Sequence, residues 1–346
     1  MILKNIQGLR FAAFLMIFLN HSFFLVADHK LFDFGARGVE IFFVLSGYLM
    51  AFHYGSKTME SSWYASWRYM LKKLKKFYAL HFATFGVMAV YLVYQKIFHG
   101  AAYSHGIYGF IRDAVLNLTL LKSWYFPSAF SFNGVSWFLS SILFIYFLFP
   151  KTVAFFKGKD FRALGFAFLV SLLVKIILDT CFYKNGLSLY HGFSAYTNPL
   201  YRYLDFLLGY LGCLLLFDLK KKDFSSSTTL FQTAALALYL ACCYFFDKIW
   251  TPAPFILLTI LLIYMFSLSG GIFDRIFGNK VMTHLGDLSL ELFIIHQVII
   301  TLIGQKLSKM SSGGVSLFII FALTVLVAEV IHIRHLPRIL PRRFGR

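Results

Sequence analysis

Apolar residues run along this chain in long unbroken blocks, with neither the alternation of strands nor the single stripe of a surface helix. Ten blocks of 17 to 20 residues stand out, over 9–27, 37–54, 77–95, 134–150, 162–180, 200–217, 229–246, 253–269, 285–304 and 314–333. About 20 apolar residues make a helix long enough to cross a bilayer. In hydrocarbon the backbone N–H and C=O groups must be satisfied within the segment, which a helix does. The pattern therefore predicts an all-α integral membrane protein with about ten transmembrane helices. The stretch 96–133 fits no span, and its portion "GFIRDAVLNLTLL" (109–121) reads as an interfacial or re-entrant helix. There is no internal repeat and no low-complexity segment. The reading is a single transmembrane domain over 1–346 with no fused soluble domain.

Composition strengthens this picture, and charge orients it. The chain is 59% hydrophobic, 20% aromatic and 14% charged, against roughly 25% charged in a soluble domain. A net charge of +18 raises the question of nucleic acid, but the cations sit in short loops between apolar blocks and no nucleic acid is implied. With the N-terminus cytoplasmic, the inner segments carry 21 Lys and Arg and the outer segments 9. By the positive-inside rule both termini are cytoplasmic. A further span within 96–133 would put Lys220, Lys221 and Lys222 outside. The expected location is a bacterial cytoplasmic (inner) membrane, the bilayer being the first partner. Cys181, Cys213, Cys242 and Cys243 have spacing for neither zinc nor a disulfide framework, and no metal is implied. No small-residue cleavage site follows the first block, which reads as a permanent helix.

The informative residues are those that do not belong in lipid. Arg10, His21, Glu40, Lys175, Asp179, Arg202, Asp205, Glu291, His296 and Glu329 lie in or beside the blocks. Each is costly in hydrocarbon, so each should meet a partner or a cavity. Arg10 and His21 are eleven residues apart, within about 20° of whole helical turns, so they share a face about 16 Å apart. In the orientation above, Arg10 lies near the cytoplasmic surface and His21 close to mid-bilayer. Imidazole titrates near neutrality and suits proton transfer at depth. The alternative is a polar contact of His21 with Asn20, Ser22 or a neighbouring helix, and an Arg10 that snorkels to lipid phosphate. Arg202 and Asp205 are spaced to pair, and Ser46-Gly47 suits close helix packing.

Six segments, in order, resemble one family. "GLRFAAFLMIFLNH" carries an arginine followed after ten residues by a histidine, and "GARGVEIFFVLSGYLMAF" places Glu40 before Phe-Phe. "LKKLKKFYALHF" puts Lys73 and Lys76 where arginines are usual and Ala79 where proline is usual. "GVSWFLSSILFIYFLFP" has Trp137, Leu139 and Pro150, and "NPLYRYLDFLLGYLGC" has the arginine and acid. "LGDLSLELFIIHQ" ends in His296, with Phe293 in an aromatic place. Together they resemble the acyltransferase-3 family of integral membrane acyltransferases, over residues 8 to about 330.

The resemblance implies a ten-helix domain that transfers an acyl group, commonly acetyl, from acetyl-CoA or another acyl-CoA on the cytoplasmic side. The implied acceptor is a hydroxyl of a surface or extracytoplasmic carbohydrate or glycolipid, as in O-acetylation of polysaccharide. On that reading His21 is the base, or carries the acyl group covalently. Arg10, Lys73 and Lys76 meet coenzyme A phosphates. Glu40 orients His21 or pairs with a buried cation. Trp137 and His296 line the substrate path or pack between helices. Two rivals stand beside it. An anion transporter would need inverted repeats or paired broken helices, which the sequence lacks. An acyltransferase for a small or cytoplasmic acceptor would share the donor site. Without a soluble domain, transfer finishes in the membrane domain or on a separate extracytoplasmic partner. In a cysteine-free background, a cysteine replacing Ser61 should resist an impermeant maleimide on intact cells, and one replacing Ser188 should react. Labelling at 61 and protection at 188 would invert the topology.

Overall fold

The computed structural model describes residues 4–26, 34–103, 106–184, 193–216, 227–247, 251–268 and 271–339. The triple lysine at 220–222, residues 185–192 of the expected outer loop 181–199 and the tail beyond 339 lie outside the described residues. The chain winds as α1 (Lys4–His21), α2 (Gly35–Tyr54), α3 (Trp63–Leu74), α4 (Tyr78–His99), α5 (Gly106–Leu118), α6 (Phe126–Ala129) and α7 (Trp137–Phe156). It continues as α8 (Phe161–Asp179), α9 (Pro199–Leu216), α10 (Thr228–Phe246) and α11 (Pro252–Ser267). The last four are α12 (Phe273–Ile276), α13 (Lys280–Asp287), α14 (Ser289–Met310) and α15 (Gly313–Ile339). No strand occurs among the described residues.

Each of the ten apolar blocks contains one long helix: α1, α2, α4, α7 to α11, α14 and α15. Six described helical stretches are long and apolar enough to cross a membrane, and the α3–α4 pair, bent by 58°, would make a seventh. The remainder differ from the expected blocks for identifiable reasons. Helix α1 carries Lys4 and Arg10, α9 carries Arg202 and Asp205, and α11 has only 16 residues. The first block also ends early. Asn20, His21 and Ser22 do not interrupt a span over 9–27; the helix stops at His21 and a 3-10 turn follows at Phe23–Leu25. His21 therefore sits at a helix end, not at mid-helix.

Helix α2 is the centre of the bundle. It lies directly against α9, where a Cβ on Gly47 would fall 1.9 Å from the Phe206 carbonyl oxygen and one on Gly209 would fall 2.1 Å from that of Val44. Only glycine permits this backbone approach. Polar contacts gather at the two ends of the bundle. At one end Lys151 donates to the Ser61 carbonyl at 2.9 Å, Asn5 bonds Asp274, and His284 meets Glu329 at 2.5 Å. At the other, Arg37 on α2 holds Asp247 after α10 at 2.6 Å, and Asp179 on α8 accepts from the backbone N–H of Ala253 on α11 at 2.7 Å.

The stretch that fits no span forms a cap at this second end. Helix α5 is 13 residues long, too short to cross. The chain then turns through Leu120 and Phe132, both with positive φ (55° and 53°), a costly conformation for such residues. Lys122 holds the turns in place. Its buried ammonium donates to Asn117 Oδ1 (3.0 Å), the Ser131 and Asn133 carbonyls (2.7 and 3.1 Å) and Ser136 Oγ (3.0 Å). Asn133 Nδ2 in turn donates to the Ile294 carbonyl at 2.9 Å, which ties the cap to α14. Lys122→Met would leave Asn117 Oδ1 and the Ser131 carbonyl without a donor, at about 1–3 kcal/mol for an unsatisfied group. Its melting temperature in detergent should fall by several degrees, whereas the exposed Lys306→Met should melt like the wild type.

Candidate active site

Four helices, α1, α2, α7 and α14, line two cavities in succession. The first cavity, about 270 Å³, is lined by Ile17, Asn20 and His21 of α1, Gly35 and Val39 of α2, Trp137 of α7, and Phe293 and Gln297 of α14. Phe130, Gly134 and Val135 of the cap and Tyr196 close it. The second cavity, about 320 Å³, takes Arg10 from α1, Phe42 to Met50 positions of α2, Phe138 and Tyr146 of α7, and Ser289, Leu290 and Phe293 of α14. Along α1 and α14 the second cavity comes earlier in the chain; along α2 and α7 it comes later. The two pairs of helices therefore run in opposite directions past the same two spaces.

His21 borders the first cavity, and His296 lies buried behind it. His21 Nδ1 lies 2.9 Å from His296 Nε2, with the rings nearly parallel at 6° and 5.1 Å between centroids. The backbone fixes the tautomers. His296 Nδ1 is 3.2 Å from the Leu292 carbonyl, which only accepts, so Nδ1 carries the proton. Neutral His296 then accepts at Nε2, and His21 donates from Nδ1. The lone pair of neutral His21 is left on Nε2. Phe14 packs edge-on to His296 at 5.6 Å, and Phe18 at 6.3 Å, so the fully buried ring is held from its other sides. Trp137 and Tyr196 form an aromatic wall, 5.0 Å between centroids, with the Arg202 guanidinium 4.8 Å from Tyr196 and 5.7 Å from Trp137.

Cations gather at the second cavity. Arg10 donates to Gln7 Oε1 at 2.9 Å and borders the space. Lys73 borders it from α3, its ammonium 5.2 Å from both the Tyr69 and Tyr146 rings. Helix α3 is 12 residues long and carries Arg68, Lys72 and Lys73, too short and too charged to cross lipid. Burial, with Lys76 and Lys72 close by, pushes the Lys73 ammonium down to about 8. The buried Ser289 hydroxyl also borders this cavity and has no protein partner among the described residues.

The residues expected from the sequence divide accordingly. His21, His296 and Trp137 meet at the first cavity, and Arg10 and Lys73 at the second. Lys76 is exposed and borders neither. The Glu40 carboxylate is held by Arg37 at 2.5 Å, and Arg37 also holds Asp247. This is the paired reading of Glu40; the hydrogen bond found for the His21 imidazole is to His296. Sequence reasoning named Asn20 only as a polar partner for His21, and Ser289 only as a position within the quoted LGDLSLELFIIHQ segment. It did not single out Gln297 or Tyr196. Gln297 adjoins His296 in the chain, which was the available signal, and Tyr196 gave none.

A multi-pass membrane protein, helical with no strand among its described residues, with two adjoining cavities and a histidine pair at one of them, is the class these features define. The family described as an acyltransferase domain matches residues 3–333, and the chain belongs to this acyltransferase-3 family. It is thus a membrane acyltransferase. No curated protein and no solved structure matches it.

If the second cavity holds an anionic donor, Arg10→Ala and Lys73→Ala should each weaken coenzyme A binding by about tenfold or more, since a hydrogen bond to a charged group contributes roughly 1.5–3 kcal/mol. Lys76→Ala should bind like the wild type. Lys73 is charged below about pH 8 and neutral above it. Wild-type affinity should therefore fall as pH rises through 8, and Lys73→Ala should lose that part of the dependence. Calorimetric titration of the detergent-solubilised variants measures both.

Proposed function

We propose that this chain moves an acyl group, acetyl in the first instance, from acyl-CoA at the cytoplasmic side to a hydroxyl of a surface or extracytoplasmic carbohydrate. The observation that carries the reading is the division of labour between adjoining cavities: Arg10 and Lys73 border one, His21, backed by His296, borders the other, and Phe293 borders both. The topology that goes with it is ten spans with both termini in the cytoplasm of a bacterial inner membrane. The cavity of Arg10 and Lys73 then faces the cytoplasm and the basic loop 55–76, and the capped cavity faces outward.

In this scheme the coenzyme A phosphates meet the guanidinium and ammonium groups, and the thioester reaches inward past the apolar wall of α2 and α7. The acceptor hydroxyl sits in the first cavity against Trp137 and Tyr196. A sugar hydroxyl is a poor nucleophile at neutral pH, so its proton must leave as it attacks. Nε2 of His21 takes that proton. The hydrogen bond from His21 Nδ1 to His296 keeps the lone pair on Nε2, and the Leu292 carbonyl keeps His296 in the accepting tautomer. As the ester C–O bond forms and the thioester C–S bond breaks, the proton on His21 passes to the leaving sulfur, so coenzyme A departs as a thiol. Glu40 and Arg37 brace α2 in this scheme and do not touch the reacting atoms. The acceptor is completed inside the membrane domain or handed to a separate extracytoplasmic partner.

The test is acceptor-dependent release of coenzyme A thiol from acetyl-CoA by the purified protein with candidate glycans. His21→Ala should lower the rate by about 10²–10⁴ with unchanged coenzyme A affinity. His296→Ala, which frees His21 to take either tautomer, should fall between that variant and the wild type. Full activity in a folded His21→Ala protein would end the proposal.

A further inference from the structure

A base that takes a proton from a sugar hydroxyl can take one from water. In that event water attacks the thioester carbonyl, a C–O bond forms, the C–S bond breaks, and the proton passes through His21 to sulfur. The products are a free carboxylic acid and coenzyme A thiol, and the donor is wasted. An acyltransferase needs a physical barrier against this, because water is far more concentrated than any acceptor and excluding it prevents such side reactions.

The barrier is visible where the two cavities meet. Among the described residues Phe293 is the side chain that borders both. Phe42 and Phe138 border the second cavity and pack against it, with ring centroids 6.0 and 5.1 Å from Phe293 and 6.1 Å from each other. On its other side the Phe293 ring lies 5.9 Å from His296. Ser289 and Leu290, one helical turn before Phe293, border the second cavity, and Gln297, one turn after it, borders the first. The partition is thus the Phe293 ring, backed on the second-cavity side by the buried Phe42 and Phe138 rings, and it stands beside the histidine pair. None of the three side chains offers a hydrogen bond that would carry water across.

We propose that this Phe42–Phe138–Phe293 wall selects an alcohol over water as the acyl acceptor, and that Phe293 is the side chain that sets the selection. The inference rests on the acyl-transfer reading above. With the wall closed, a donor in the second cavity does not reach the base. A slim acyl chain that displaces the Phe293 ring fills the opening it makes, so water does not follow it. The acceptor fills the first cavity from the other side. The wall therefore governs the ratio of ester formed to thiol released, separately from the affinity for either substrate.

The experiment measures thiol release from acetyl-CoA by the purified full chain, without acceptor and with methyl α-D-glucoside as a probe acceptor, alongside a melting curve. Phe293→Ala joins the two cavities. Its acceptor-free hydrolysis should rise by about tenfold or more, and its yield of ester per thiol should drop. Phe293→Tyr, which keeps the ring, should retain the wild-type ratio. The double variant Phe293→Ala, His21→Ala should lose the added hydrolysis, which locates the leak at the histidine pair. Should the alanine variant not isolate as a folded protein, Phe293→Leu is read in the same way. A wild-type ratio in a folded Phe293→Ala or Phe293→Leu protein would overturn the wall, as would added hydrolysis that survives loss of His21. Absence of acceptor-dependent release in the wild type with every glycan offered would instead overturn the acyl-transfer reading, and the wall with it.

Discussion

The bundle depends on Asp205. Its carboxylate, fully buried, forms an ion pair with Lys175 on α8 at 2.8 Å and accepts from Arg202 on its own helix at 2.7 Å. An isolated charge in such surroundings is far too costly to persist, so three ionised groups must stay together or none can stay. Lys175 also reaches Asp179 at 3.5 Å, and Asp179 takes the N–H of Ala253. A few paired charges thus fix α8, α9 and α11 in register. Removal of one partner from a buried pair costs about 3–5 kcal/mol. Arg202 carries the constraint onward, because its guanidinium lies against Trp137 and Tyr196, the aromatic wall of the first cavity. The shape of that cavity is therefore set by an ion network outside it.

Much of the fold was legible because lipid imposes blunt rules. Ten apolar blocks each became one helix, since a backbone in hydrocarbon has no other way to satisfy itself. Where the blocks misled, the reason was polarity inside them. The first was read through His21 to residue 27, but the polar trio at 20–22 ends the helix. The short helix within the cap was legible over 109–121, but the turns that follow it to residue 136 were not, because their order comes from Lys122 bonding oxygens scattered over positions 117 to 136. Such a centre leaves no periodicity.

The site was half legible, for a similar reason. Helical spacing placed Arg10 and His21 on one face, and the two residues do border successive cavities along α1. Sequence offered no way to know that His21 would find His296, 275 positions away, whereas Glu40 has in Arg37 a partner at the same three-residue spacing that was read for Arg202 and Asp205. Lys73 and Lys76 looked equivalent in the chain. Only the bend between α3 and α4 distinguishes them, tucking Lys73 between Tyr69 and Tyr146 and leaving Lys76 in the open.

The cap has a consequence for how such a protein diversifies. It is held by Lys122 and Asn133 and by Tyr78, His81 and Ser140 of the neighbouring helices, whose bonds go largely to backbone oxygens. Backbone oxygens are present whatever the side chains are. Substitutions at Phe130 or Val135, where the cap meets the first cavity, can accumulate without disturbing that suspension and without reaching the histidine pair. A lineage can thus reshape the mouth of the first cavity while the histidine pair stays fixed, much as a lock is rekeyed without replacing the bolt.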